Sequence, residues 1–296
     1  MNKYFKIVFF IVVGLTIVSC SKSDTESTTT LRDYKVQYAS DLDSIDKYID
    51  THYIQSVDSD FNIIMAKIPV GGSQQSIRLQ QNYPLDSIKV QNDDHDVNYK
   101  IYYLKLREGT NQSTSSVDSV YVSYRGTLIS DVQFDYSETP IWFQLESVVA
   151  GWGEIIPLFK TGTYDTTEGP NPTTFANFGA GVMFLPSGLG YYNQVASAYI
   201  PYYSPLIFSF KLKSQRSRDH DRDGVLSKFE VSSTVVGQKP KDYDSDGDKI
   251  PNYYDIDDDG DRYMTKNEIR KNANGSIIFD DTDGDGIPNY LDPDNH

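Results

Sequence analysis

Cysteine is nearly absent: the 296 residues hold one, Cys20, so no disulfide framework within a single chain is possible. Basic charge is scarce as well. Twenty-seven Lys and Arg stand against 42 Asp and Glu, a formal −15, which argues against a nucleic-acid partner, whose phosphates need cations. Histidine occurs four times, as His52, His95, His220 and His296, with no Ser/His/Asp set around any of them and no Gly-rich phosphate loop elsewhere. Long apolar runs are missing too. The longest, residues 7–18, is too short for a good transmembrane span, and Lys3 and Lys6 before it give it the flanks of a secretory signal.

What is present is unevenly placed. The apolar run ends in Ile17-Val18-Ser19-Cys20, which resembles a bacterial lipobox. That resemblance implies a lipidated Cys20 and a chain held at a bilayer in the cell envelope, since two acyl chains at about 0.8 kcal/mol per buried methylene form a stable anchor. The expected division is a signal over 1–20, a Ser/Thr-rich tether over 21–35, an N-terminal helix and strand region over 36–110, a sheet domain over 111–213 and an acidic segment over 214–296.

Within the N-terminal region, Leu42, Ile45 and Ile49 share one helical face, predicting an amphipathic helix over 41–53; the runs starting at Phe61 and Tyr99 read as strands. Further on, Val120, Val122 and Tyr124 alternate with Tyr121, Ser123 and Arg125. Leu206, Phe208, Phe210 and Leu212 alternate in the same way, so both stretches read as strands of a half-buried antiparallel sheet. Between them Val148, Trp152, Ile155, Ile156 and Phe159 follow a helical period that Pro157 must cut short or kink.

Five short motifs lie in this domain: Tyr124-Arg125-Gly126, Phe134-Asp135-Tyr136-Ser137, Val148-Val149-Ala150-Gly151-Trp152, Leu189-Gly190-Tyr191-Tyr192, and the aromatic-rich run from Ile200 to Phe210. Their residues and order resemble the FKBP family of peptidyl-prolyl cis-trans isomerases over residues 117–212. The resemblance implies an α+β fold, an FKBP-like twisted antiparallel sheet wrapped on a short helix. It also implies a site of Tyr124, Phe134, Asp135, Val148, Val149, Trp152, Tyr191, Ile200 and Phe208 for Pro-containing polypeptide clients. In that likeness Trp152 is the floor and Tyr124, Phe134 and Phe208 the walls. Asp135 orients polar groups at the rim, and Tyr191 and the Val149 N–H bond substrate carbonyls. No cofactor is implied for catalysis. The sequence departs from the family at Ile141, where an aromatic is common, and at Tyr192, where glycine is usual. It also lacks a histidine over 193–199 and adds an insertion over 162–181; these are expected to alter the rim.

Beyond Leu212 the 83 residues 214–296 carry 11 Lys/Arg and 20 Asp/Glu, a net −9. Asp219, Asp221, Asp223, Gly224, Val225, Ser227 and Glu230 occupy positions 1, 3, 5, 6, 7, 9 and 12 of an EF-hand loop, whose acids and carbonyl suit a hard calcium ion and whose glycine allows the sharp turn. Three further loops fit: Asp244, Asp246 and Asp248 with Asp255; Asp257, Asp259 and Asp261 with Glu268; Asp281, Asp283 and Asp285 with Asp292. The repeated Ile-Pro-Asn-Tyr phrase resembles thrombospondin type 3 repeats, implying an irregular segment held together by calcium. Lys249 and Arg262 replace the position-6 glycine in the second and third loops. Two other functions are compatible with these features: a non-catalytic chaperone binding proline segments, and a calcium-dependent surface adhesion or scaffold protein.

Overall fold

In the computed structural model of the protein, residues 31–165, 174–231 and 239–295 are described. The signal, Cys20, most of the expected tether and the middle of the 162–181 insertion lie outside them. Among the described residues no helix is long and apolar enough to cross a membrane.

The first element is a helix, α1 (Tyr34–Thr51), which starts seven residues before the predicted helix and takes Tyr34 and Lys35 from the expected tether. The cause is Asp33, whose carboxylate accepts from the amides of Lys35 and Val36 at 2.9 and 3.0 Å and so satisfies two N–H groups of the first turn. The helix stops at Thr51 because His52 is already extended and begins β1 (His52–Val57), which pairs antiparallel with β2 (Ile63–Lys67).

A six-stranded antiparallel sheet follows, from β3 (Leu85–Asn92), β4 (Val97–Arg107), β5 (Ser119–Leu128), β6 (Gln133–Gln144), and, past the helix α2 (Ala150–Ile155) and the small hairpin β7 (Thr163–Asp165) and β8 (Thr174–Ala176), β9 (Gly179–Leu185) and β10 (Leu206–Arg216). Its order is β3-β4-β9-β10-β5-β6. The fold is therefore α+β. The expected boundary near residue 110 does not divide this sheet, since β4 from the N-terminal region pairs directly with β9.

The sheet is covered on both faces over β4, β9 and the start of β10, while β5 and β6 are half-buried as read. On one face Leu206, Phe208, Phe210 and Leu212 pack with Trp152, Ile155, Ile156 and Phe159. On the other, Leu104, Val182, Phe184 and Ile207 meet Ile45, Tyr48 and Ile49 of α1. Burying each such side chain contributes roughly 1.5–3 kcal/mol. Pro157 acts as anticipated: α2 ends and a 3-10 turn (Ile156–Leu158) carries the chain onward. Buried Asp41 then fixes α1 to the turn Ser187–Leu189, accepting from the Ser187 amide at 2.8 Å and its hydroxyl at 2.6 Å.

The acidic segment is largely irregular. Its described residues hold one helical turn, α3 (Ser227–Glu230), isolated 3-10 turns and a short hairpin of β11 (Ile269–Lys271) and β12 (Ile277–Phe279), around a small cluster of Val225, Ile269 and Tyr290.

Candidate functional site

An aromatic cleft of about 360 Å³ opens where β5, β6 and β10 meet the start of α2. Trp152 lies beneath it, 3% exposed, with three rings standing edge-on to the indole at centroid distances of 5.4 Å for Tyr124, 5.4 Å for Phe143 and 5.3 Å for Phe208. Edge-to-face contact presents the positive ring edge to the negative face and holds the rings in fixed orientations. The indole N–H is buried without an acceptor among the described residues. On the rim, Tyr124 donates to Asp135 Oδ2 at 2.6 Å. Burial first, then that bond, raises the Tyr124 hydroxyl above its ordinary range; burial also raises Tyr191. Both phenols therefore stay neutral donors.

Of the nine residues expected here, Tyr124, Asp135, Val148, Val149, Trp152, Tyr191 and Phe208 line the cleft. The other two stand behind it. Phe134 meets Phe208 edge-on at 5.5 Å, and Ile200 is buried in the core. Sequence reading missed Phe143, for a definable reason: opposite Ser123 the strand β6 carries Glu138, Thr139 and Pro140, so the register runs from Ser137 against Tyr124 to Ile141 against Val122. Ile141 shares a face with Phe143, opposite buried Val122, but it is 39% exposed and does not line the cleft; Phe143 supplies the aromatic wall two residues later. Val149 takes the N-cap position of α2, its carbonyl accepting from the Trp152 amide at 2.9 Å, so the helix start positions rim and floor together.

Tyr192 corrects an expectation. It holds the left-handed φ of +51° that explains why glycine suits this position, but its ring leaves the rim for the N-terminus of α1. There it stacks on Tyr34 at 4.1 Å, and its hydroxyl donates to the Arg32 carbonyl. A larger recess of about 510 Å³ lies elsewhere, among Asp60, Arg125, Glu138 and Lys211. Its charged lining, with an Asp60–Lys211 pair at 2.5 Å, suits an apolar ring poorly.

The four acidic loops have one geometry. In each, the position-9 amide donates to the carbonyl just before position 1: Ser227 to Arg218, Asn252 to Tyr243, Thr265 to Ile256 and Asn289 to Asp280, at 2.7–3.0 Å. The position-5 carboxylate accepts from the position-7 amide in every loop, as Asp223 does from Val225 at 2.7 Å. Position 6 is left-handed throughout, at φ +107° for Gly224, +82° for Lys249, +78° for Arg262 and +97° for Gly286, so the two missing glycines do not change the turn. The acids at positions 1, 3 and 5 bring an oxygen each within 4.8 Å of one another in all four loops, while Glu230, Asp255, Glu268 and Asp292 are buried at position 12.

An all-oxygen donor set fits a hard cation. Both carboxylate oxygens of Glu230 and of Glu268 are buried without a hydrogen-bond partner among the described residues. Burial first, then neighbouring carboxylates, pushes Glu230 up to about 10 and Glu268 up to about 8. Glu230, Glu268, Asp255, Asp292 and the Val225 carbonyl are the groups that would complete the coordination. Bound there, calcium would supply positive charge and a geometric template for the loops.

Residues 110–213 match the family model described as FKBP-type peptidyl-prolyl cis-trans isomerase, and residues 220–279 match one described as BamM C-terminal, in a single stretch rather than as a repeat. The chain is 32% identical over 82 residues to a probable FKBP-type 25 kDa peptidyl-prolyl cis-trans isomerase of Pseudomonas aeruginosa, covering 28% of this chain and 36% of the relative. It is 30% identical over 115 residues to a probable FkpA isomerase of Neisseria meningitidis, covering 38% and 36%. The chain thus spans about a third of the length of these curated relatives. Two solved structures are similar over part of the chain. A peptidyl-prolyl isomerase of Pseudomonas syringae has a TM-score of 0.37 at 17% identity, covering 62% of this chain and 96% of its own. FkpA of Escherichia coli has 0.36 at 20%, covering 62% and 61%. Family model and curated relatives agree on the FKBP-type isomerases, and every cleft residue lies within the matched stretch.

Proposed function

We propose that this protein is a peptidyl-prolyl cis-trans isomerase acting on X–Pro bonds of exported polypeptides. One observation carries the reading: the indole of Trp152 under three edge-on rings, with a hydrogen-bonded phenol and carboxylate at one side of the cleft. The barrier to turning an X–Pro bond is amide resonance, about 18–20 kcal/mol, and exchange takes tens to hundreds of seconds unaided. A twisted amide has lost part of that resonance and its charge separation, so a pyrrolidine ring on Trp152 between Tyr124, Phe143 and Phe208 favours it over the planar amide. No nucleophile is required. On this reading the Tyr191 hydroxyl and the Val149 N–H donate to substrate carbonyls, and Asp135 holds Tyr124 in orientation.

The acidic loops are read as calcium sites that order the segment following β10, and Cys20 as a lipid anchor in the cell envelope. Exchange spectroscopy on a short Ala-Pro peptide tests the enzymatic reading. Catalytic amounts of protein should bring cis–trans exchange into the range of seconds or faster. Binding at the cleft with no gain in exchange would favour the proline-segment chaperone instead.

A further inference from the structure

The third acidic loop places a residue that the loop pattern leaves without a task. Asp258 stands at position 2, next to Asp257, where an EF-hand loop takes no ligand, yet it is 1% exposed. Its Oδ2 accepts from the Thr265 hydroxyl at 2.7 Å, but its Oδ1 is buried without a partner among the described residues. What it faces is the first loop. Oxygens of Asp223, Glu230 and Asp258 lie within 4.8 Å of one another, and all three residues are more than nine-tenths buried. Asp223 Oδ2 and both oxygens of Glu230 are likewise unpartnered. Lys271 brings its Nζ beside Gly224 from β11, and among the described residues Asp223, Glu230 and Asp258 form no ion pair with it.

The first loop also lacks a donor where Asp258 could supply one. Position 9 is Ser227, fully buried, with its hydroxyl engaged by the His220 amide at 3.2 Å and the His220 Nδ1 at 2.7 Å. Asp219, Asp221, Asp223, the Val225 carbonyl and Glu230 leave room in the six to eight oxygens that calcium takes. We infer that Asp258 ligates the calcium ion of the first loop, so that one ion joins loop 219–230 to loop 257–268 across the chain between them. Unlike an ordinary loop ligand, Asp258 can reach the ion only when the third loop has docked. Filling the first site therefore requires the segment to be assembled, and the ion holds it so.

This inference rests on the calcium reading of the loops, and the test separates the two. The full chain, stripped with chelator, is titrated with calcium by calorimetry as wild type and as Asp258→Asn, which keeps an acceptor for Thr265. Wild type should bind calcium, and the variant should lose one site or weaken it by at least about tenfold, while the 281–292 loop is unchanged. A wild type that takes up no calcium overturns the loop reading itself. A variant that binds like wild type overturns the role of Asp258 alone. The calcium-loaded wild-type crystal structure decides the case even where the variant does not fold: Asp258 Oδ1 should lie about 2.3–2.6 Å from the ion. Asp258 turned toward a protonated Glu230, with the ion elsewhere, contradicts the inference.

Discussion

Gly126 has no room for a side chain. A Cβ there would stand 2.5 Å from Phe134 Cζ and 2.9 Å from Phe208 Cε1, so Gly126→Ala has to displace the pair that backs the cleft. Peptide binding should weaken by at least about tenfold, read by fluorescence titration, as overpacking shifts backbone and rings at a cost of about 1–3 kcal/mol. Tyr192 makes the opposite case. Tyr192→Gly relieves a left-handed φ costing about 1–2 kcal/mol, but removes a ring packed between Tyr34 and Tyr203 whose loss costs about 3–5 kcal/mol. Thermal unfolding should show a lower Tm with the isomerase rate per folded molecule unchanged, because this ring lies outside the cleft. The residues of the cleft were largely legible because they fall in five short motifs in fixed order. Phe143 was not, because two extra residues opposite Ser123 shift which residue of β6 lies over the cleft, and burial along β6 does not alternate.

Elements were legible where apolar residues kept a period and obscure where a cap or a pairing partner decided. The alternation in β5 and β10 marked both strands, whereas the start of α1 depends on the Asp33 cap and β3 is an edge strand of mixed polarity that only β4 defines. The junction between the sheet and the first acidic loop was equally hidden. Glu146, in the turn Leu145–Ser147 that leads into Val148 and Val149, accepts from Arg218 at 2.5 Å and contacts His220 Nε2 at 3.1 Å. Those two residues flank position 1 of the loop. Removing calcium is expected to loosen this turn and weaken peptide binding by about fivefold or more, within ordinary coupling energies. In Glu146→Gln the effect of chelator should shrink towards none; an undiminished effect would mean that the two parts are not linked through this turn.

At the scale of the whole molecule, charge decides the next expectation. Four calcium ions would bring +8 to a segment of net −9, so its order should depend on metal. In chelator, limited proteolysis should cut within residues 219–292 while the unit from β5 to β10 survives; equal protection with and without calcium would contradict the metal reading. Cys20→Ala should move the protein from the membrane fraction to the soluble fraction on sedimentation. The most direct measurement is the refolding of an unfolded protein limited by proline isomerisation, followed with and without catalytic amounts of the calcium-loaded chain. The slow phase should accelerate with enzyme concentration, and Trp152→Ala, judged on its folded fraction, should abolish the gain. A slow phase untouched by the wild-type protein would contradict the isomerase account.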